Sequence, residues 1–144
     1  MKLLIFTDGA SRGNPGKSAS GYAIYNDKYE LLAESSIYNG IATNNEAEYK
    51  AIIEALKAAL EKFGKDNEIE LYSDSKLVIS QLKGAYKVKS KKMKALNEKA
   101  STLLKSFSSY SLNNPRRSNA YISKVDKQIN KFLDSLENQI EKEK

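Results

Sequence analysis

Residues 2–16 read KLLIFTDGASRGNPG, and the fold depends on the transition within this stretch. KLLIF, residues 2–6, is a short continuous apolar run, which is typical of a strand buried on both faces. The run stops at Thr7-Asp8, and the glycine- and proline-rich segment after it predicts a loop over residues 9–16. The sequence therefore predicts a short buried strand that ends at an aspartate.

A meander and a helix are predicted to follow. GYAIY (21–25) and LLAESSIY (31–38) are strand candidates, and Asn26-Asp27 between them is typical of a hairpin turn. Thr43, Asn44 and Asn45 are favoured N-cap residues, and Gly64 closes the apolar-periodic segment that follows them. The remaining predicted elements are a strand at 69–74, helices at 75–84 and 90–107, a weak strand at 109–117 and a helix from about 124.

The resulting order, βββαβααβα, predicts an α/β fold built on a mixed sheet. Hairpins join the first three strands, whereas a strand, helix, strand unit requires a right-handed parallel crossover. The length suits one ordinary domain, and we expect residues 1–144 to form it.

Composition narrows the possible chemistry. The chain has no Cys and no His, which excludes thiolate chemistry, the usual zinc ligands and the usual neutral-pH general base. A net charge of +6 is compatible with binding a polyanion, although a lysine-rich solvated surface explains it equally well. No apolar run approaches the ~20 residues of a membrane span, so we expect a cytoplasmic protein with no membrane partner.

Four acidic residues stand at the ends of predicted strands or early in predicted helices: Asp8, Glu48, Asp74 and Asp126. Each has a simple structural explanation, as a turn residue, a helix cap or a first-turn helix charge. If the fold gathers them, they repel one another by roughly 1–4 kcal/mol per pair at 4 Å. A site of this kind is usually built to hold a hard divalent cation.

The motifs around these acids resemble those of the type 1 ribonuclease H family. The resemblance runs through T-D-G-A (7–10), S-R-G-N-P-G (11–16), T-N-N-x-x-E-Y (43–49), Y-S-D-S (72–75) and V-D-x-x-I-N (125–130). The motifs occur in the family's order and cover nearly the whole chain. A short segment, GAYKVKSKK (84–92), replaces the Trp-containing basic protrusion of many members, so the chain resembles the handleless form.

The resemblance implies a five-stranded sheet in the order 3-2-1-4-5 and a monomeric endonuclease. It implies that the enzyme hydrolyses the RNA strand of RNA–DNA hybrids with two Mg²⁺ ions, or Mn²⁺ as a substitute, leaving 5′-phosphate and 3′-hydroxyl ends. It implies that Asp8, Glu48, Asp74 and Asp126 are the catalytic and metal-binding residues. The implied substrate contacts are Gly9, Arg12, Gly13, Asn14, Thr43, Asn44, Asn45 and Lys76.

Two assignments stay open within this resemblance. Asn119 and Asp126 are further apart than is usual in the family, which leaves Asp134 as an alternative fourth acid. Some members use a histidine near that position, and here Arg116, Arg117 or Lys124 are the candidates to replace it.

Two other classes of protein compete with a nuclease. A hybrid-binding module could keep the fold without catalysis, although the presence of all four acids argues against it. A phosphotransferase of the actin-like superfamily also has an Asp-Gly loop after its first strand, but it needs two such domains.

Overall fold

Five strands and four helices follow the predicted order in this computed structural model, which describes residues 1–142, with side chains to residue 139. They are β1 (Lys2–Gly13), β2 (Gly16–Tyr25), β3 (Leu31–Ala42), α1 (Asn44–Phe63), β4 (Glu68–Ser73), α2 (Lys76–Leu82), α3 (Lys91–Lys105), β5 (Ser109–Asn113) and α4 (Ala120–Lys142). The predicted order is therefore confirmed. None of the described helices has the length and apolarity that a membrane crossing requires.

The strands form one mixed sheet in the order β3-β2-β1-β4-β5, which confirms the predicted topology. The pairs β1–β2 and β2–β3 are antiparallel, whereas β1–β4 and β4–β5 are parallel. The last pair of the β1–β4 ladder joins Thr7 to Ser73. Asp8 and Asp74 are the next residues, so they leave the end of this ladder side by side.

Both faces of the sheet are covered, which explains the continuous apolar run in β1. Leu3 and Ile5 belong to the core shared with α1 and α3, whereas Leu4 and Phe6 pack against α4. Successive side chains of a strand point to opposite faces, so a strand between two helical layers needs apolar residues throughout. These four side chains are at most 3% exposed, and burying each contributes roughly 1.5–3 kcal/mol.

The predicted loop over residues 9–16 was wrong for most of its length. Strand β1 continues to Gly13 and β2 begins at Gly16, so only Asn14-Pro15 connects them. Glycine and serine favour loops when they are considered locally, but the antiparallel ladder with β2 overrides that preference here. Asp8 consequently lies within β1, and it marks the end of the ladder with β4 rather than the end of the strand.

Helix α4 begins at Ala120, earlier than predicted. The Asn119 Oδ1 atom accepts hydrogen bonds from the backbone N–H groups of Tyr121 (3.0 Å) and Ile122 (3.2 Å), which is the N-cap arrangement. Asp126 therefore lies in the second turn of the helix rather than at its start.

Candidate active site

Two strands and one helix bring three carboxylates together. Asp8 lies in β1, Glu48 in α1, and Asp74 directly after β4. Each offers an oxygen atom, and these atoms lie within 4.8 Å of one another. The Asp8 and Glu48 residues are 4% and 7% exposed, and the Asp74 side chain is 8% exposed. The fold thus gathers three of the four predicted acids in a nearly buried cluster.

Close packing between α1 and the sheet positions Glu48. Gly9 lies directly against the α1 backbone at Ala47 and Glu48, where a Cβ atom would overlap main-chain atoms. The buried Ser20 hydroxyl donates a hydrogen bond of 2.6 Å to the Ala47 carbonyl. The Ser73 hydroxyl, at 3.4 Å, donates to Glu48 Oε2. The carboxylate is therefore held from the sheet side by both backbone and side-chain contacts.

Asp126 reaches the same site from α4, on the other face of the sheet. It lines one cavity of about 490 Å³ together with Asp8, Glu48 and Asp74. Asp134, the alternative fourth acid, lies further along the helix, and its Oδ1 atom is 2.7 Å from a guanidinium nitrogen of Arg12. The structure therefore places Asp126, and not Asp134, beside the other acids.

Burial and mutual repulsion raise the pKa of two of these groups. Burial, followed by the charge of Asp74, raises the pKa of Asp8 to about 7. Burial, followed by the charges of Asp8 and Asp74, raises the pKa of Glu48 well above its ordinary range. Such shifts show that the fold concentrates negative charge where it is costly, which is a common property of functional sites.

The donor set fits a hard divalent cation bound through oxygen. The acids supply only carboxylate oxygens, and hard cations prefer such ligands to nitrogen or sulfur. Arg117 Nε lies 3.4 Å from Asp74 Oδ2, but the arginine side chain is 88% exposed and offsets little of the charge. A bound cation would relieve the repulsion that raises the pKa of Asp8 and Glu48.

Several predicted substrate contacts lie beside the carboxylates. Gly9, Asn44 and Asn45 line the same cavity. Asn14 Oδ1 accepts a hydrogen bond of 3.1 Å from the Asn44 N–H group, which ties the β1–β2 turn to the start of α1. Asn44 Oδ1 in turn accepts from the Ser11 N–H group at 3.0 Å. The turn, the helix start and the acidic cluster thus form one continuous surface.

The other predicted substrate contacts do not line this cavity, and some of them stabilise the fold instead. The Thr43 hydroxyl accepts a hydrogen bond of 3.2 Å from the Glu46 N–H group and so caps α1. Gly13, at φ +98°, ends β1, and Lys76 is exposed at the first position of α2. The Arg12 guanidinium is bound to carboxylates of α4 rather than to the cavity.

Sequence reasoning did not find the groups that support the acids. Ser73 lies inside the Y-S-D-S motif, but nothing in the motif shows that its hydroxyl meets Glu48. Asn130 closes the V-D-x-x-I-N motif one helical turn after Asp126, but nothing in the motif shows that its amide donates hydrogen bonds to Asp126.

Comparisons with known proteins point to one family. The family model described as RNase H matches residues 1–138. The chain is 41% identical over 134 residues to a Ribonuclease HI of Halobacterium salinarum, a match that covers 92% of this chain and 65% of that protein. It is 42% identical over 108 residues to a bifunctional protein of Mycobacterium tuberculosis, covering 74% of this chain and 29% of that protein. The chain thus spans less than two thirds of the length of either relative.

A solved structure extends the likeness to three dimensions. LC11-RNase H1, crystallised in complex with an RNA/DNA hybrid, superposes with a TM-score of 0.79 at 36% sequence identity. The match covers 91% of this chain and 99% of that chain.

Proposed function

Because this chain belongs to the RNase H family, we propose that it is a metal-dependent endonuclease that hydrolyses the RNA strand of RNA–DNA hybrids. The proposed products carry 5′-phosphate and 3′-hydroxyl ends, and residues 1–144 are proposed to act as a single catalytic domain. The observation that carries the proposal is the nearly buried cluster of Asp8, Glu48 and Asp74, with Asp126 on the same cavity.

The four acids are proposed to hold two divalent cations, Mg²⁺ or, as a substitute, Mn²⁺. When bound, the cations would lower the pKa of the attacking water and stabilise the leaving 3′-oxygen. The side chains contribute by being fixed in place before the cations arrive and by being ionised once the cations are bound. Since the pKa of Asp8 is about 7, this cluster holds a proton near neutral pH that a bound cation would have to displace.

Polar groups beside the cluster are proposed to recognise the hybrid. The amides of Asn14, Asn44 and Asn45, with the backbone of Gly9, can both donate to and accept from a ribose 2′-hydroxyl. This pairing would distinguish the RNA strand, because DNA lacks that group. Lys76, exposed after the Asp74 turn, is proposed to contact a backbone phosphate, which fixes position without reading sequence.

One family member supports the substrate class directly. LC11-RNase H1 was crystallised with an RNA/DNA hybrid, and this chain matches that structure over 91% of its length. The proposal assigns the same kind of substrate to this chain.

A panel of labelled duplexes tests the proposal. We expect the wild type to cleave the RNA strand of an RNA–DNA hybrid with Mg²⁺ or Mn²⁺, but not with EDTA, and to leave an RNA–RNA duplex largely intact. Asp74→Asn should abolish cleavage, whereas Asp27→Asn, in the exposed turn after β2, should behave as wild type. Cleavage that survives Asp74→Asn would contradict the assignment. Hybrid binding without turnover at any Mg²⁺ or Mn²⁺ concentration would instead favour a non-catalytic hybrid-binding module.

A further inference from the structure

A chain of hydrogen bonds connects the far end of β1 to the fourth acid. It runs from Arg12 through Asn130 to Asp126, and it joins the sheet to helix α4. We propose that Asn130 is a positioning residue for the Asp126 carboxylate and that Arg12 holds Asn130 in place. The inference rests on the proposed nuclease function, because it assigns a role within that site.

Asn130 holds Asp126 at two points. Its Nδ2 atom donates to Asp126 Oδ1 at 3.2 Å and to the Asp126 carbonyl oxygen at 2.9 Å. The first contact fixes the direction of the carboxylate, and the second fixes the asparagine side chain along the helix. Without them, an aspartate in the second turn of a helix is free to adopt other rotamers.

Arg12 holds Asn130 from the other side. Its Nη2 atom donates to the Asn130 carbonyl oxygen at 3.1 Å and lies 3.4 Å from Asn130 Oδ1. Asp134 and Glu137 clamp the same guanidinium at 2.7 and 2.9 Å. A guanidinium only donates and a carboxylate only accepts, so these neighbours also fix which end of the Asn130 amide faces Asp126.

The need for such a device follows from where Asp126 comes from. Asp8 and Asp74 leave adjacent strands, and Glu48 is held against the sheet by Gly9 and Ser73. Asp126 instead lies on a helix across the sheet, so its position depends on how that helix is anchored. Arg12 contacts Asn130, Asp134 and Glu137, and this set of contacts is called the Arg12 clasp. The Arg12 clasp ties α4 to β1, the strand that carries Asp8. Arg12 is accordingly assigned to this clasp and not to contact with the hybrid.

Asn130→Ala tests the role, with Gln128→Ala as the matched control. Gln128 is also an amide on α4, and its Nε2 atom donates to the Ser35 carbonyl (2.8 Å) and the Ser36 hydroxyl (2.9 Å), away from Asp126. Alanine is a better helix former than either residue, so both variants should fold. Mn²⁺ affinity of the protein alone is measured by calorimetry, and kcat and KM are measured on the hybrid.

We expect Asn130→Ala to weaken Mn²⁺ binding and lower kcat by about 10-fold or more, with KM for the hybrid unchanged, as is typical when support for a metal ligand is lost. Gln128→Ala should leave both quantities near wild type. In an Asp126→Asn background, Asn130→Ala should cause no further loss of Mn²⁺ affinity, because its partner is already absent. Equal effects of Asn130→Ala and Gln128→Ala, or an additive loss in that background, would overturn the inference.

Arg12→Lys provides the second test, since it keeps the charge but loses the planar fork. We expect it to lower Mn²⁺ affinity and kcat in the same direction as Asn130→Ala, but by less. A raised KM with unchanged Mn²⁺ affinity would place Arg12 on the hybrid and contradict the clasp. If the wild type neither binds Mn²⁺ nor cleaves the hybrid, the proposed function fails and this inference with it. An active wild type with an unaffected Asn130→Ala variant removes the inference alone.

Discussion

The carboxyl groups of Asp8 and Glu48 lie side by side in the protein interior, and the pKa of each is raised. Near neutral pH, and without a cation, such a pair titrates as a unit rather than as two independent acids. In the metal-free protein, burial and repulsion of these carboxyl groups therefore carry a free-energy cost that lowers the stability of the fold. A bound cation would remove this cost.

This cost predicts how the stability of the metal-free protein changes with pH. An acid whose pKa is raised in the folded state stabilises the fold below its unfolded pKa, and that contribution is lost as pH rises through the folded pKa. For Asp8 the window runs from 3.8 to about 7. We expect Asp8→Asn to be more stable than wild type at pH 8 in EDTA, with the difference shrinking toward pH 4. Urea unfolding of both proteins across this pH range measures the difference in their free energies of unfolding. A difference that does not vary with pH would contradict the raised pKa.

The same linkage predicts proton competition with the metal. Because a cation must displace the proton of the Asp8 pair, the Mg²⁺ concentration for half-maximal cleavage should rise as pH falls below about 7. Measuring Mg²⁺ titrations at several pH values checks this. A half-saturating concentration that stays constant between pH 8 and pH 6 would show that the pair is already ionised.

The two candidates for the fourth acid should respond differently to neutralisation. Asp126→Asn removes a carboxylate from the acidic cavity, and we expect kcat to fall by about 100-fold or more. Asp134→Asn removes one partner of Arg12 from an exposed ion pair worth at most about 1 kcal/mol, so kcat should fall by less than about 5-fold. Steady-state kinetics on the hybrid distinguishes them, and the reverse order of effects would reassign the fourth position to Asp134.

Gly9→Ala should weaken Mn²⁺ binding by more than its loss of stability explains. A Cβ atom at Gly9 would overlap the backbone of Ala47 and push away the turn that carries Glu48. Gly64→Ala is the comparison, because its φ of 84° strains any side chain at the far end of α1, away from the acids. Both variants should lower the melting temperature, but only Gly9→Ala should weaken Mn²⁺ binding. Loss of Mn²⁺ affinity in both variants would mean that a general loss of stability, and not displacement of Glu48, is the cause.

Arg117 is expected to compete weakly with the metal for Asp74. Its Nε atom lies 3.4 Å from the carboxylate, and the side chain is 88% exposed, so the interaction is worth at most about 1 kcal/mol. Arg117→Gln should therefore tighten Mn²⁺ binding by less than about 5-fold, whereas the exposed neighbour Arg116, changed in the same way, should have no effect. Calorimetry measures both, and weaker binding in Arg117→Gln would make this arginine a helper rather than a competitor.

The sequence predicted those parts of the fold and of the candidate site that depend on local patterns of residues. The apolar run of β1 predicted a strand covered on both faces, and the cap residues Thr43, Asn44 and Asn45 predicted where α1 starts. Asp8 and Asp74 could be placed together because parallel strands end at a common edge, which is a general property of such sheets. These inferences need only neighbouring residues and one rule of topology.

The support for the acids could not be predicted in the same way. The contact of Ser73 with Glu48 and that of Arg12 with α4 join residues far apart in the chain, and neither leaves a periodic signal. The length of β1 was missed for a related reason. Residues Gly9 to Gly13 have loop-like composition, and only the presence of β2 beside them makes them a strand.

The order of the elements also bears on when the protein can act during its own synthesis. The acidic set draws on β1, α1 and the end of β4, but its fourth member lies on α4, which is synthesised after those three elements. That helix also covers Leu4 and Phe6, which would otherwise face water. A nascent chain that has not yet exposed α4 would hold three acids on an unfinished sheet. We expect such a chain to lack the proposed nuclease activity until α4 has packed against the sheet.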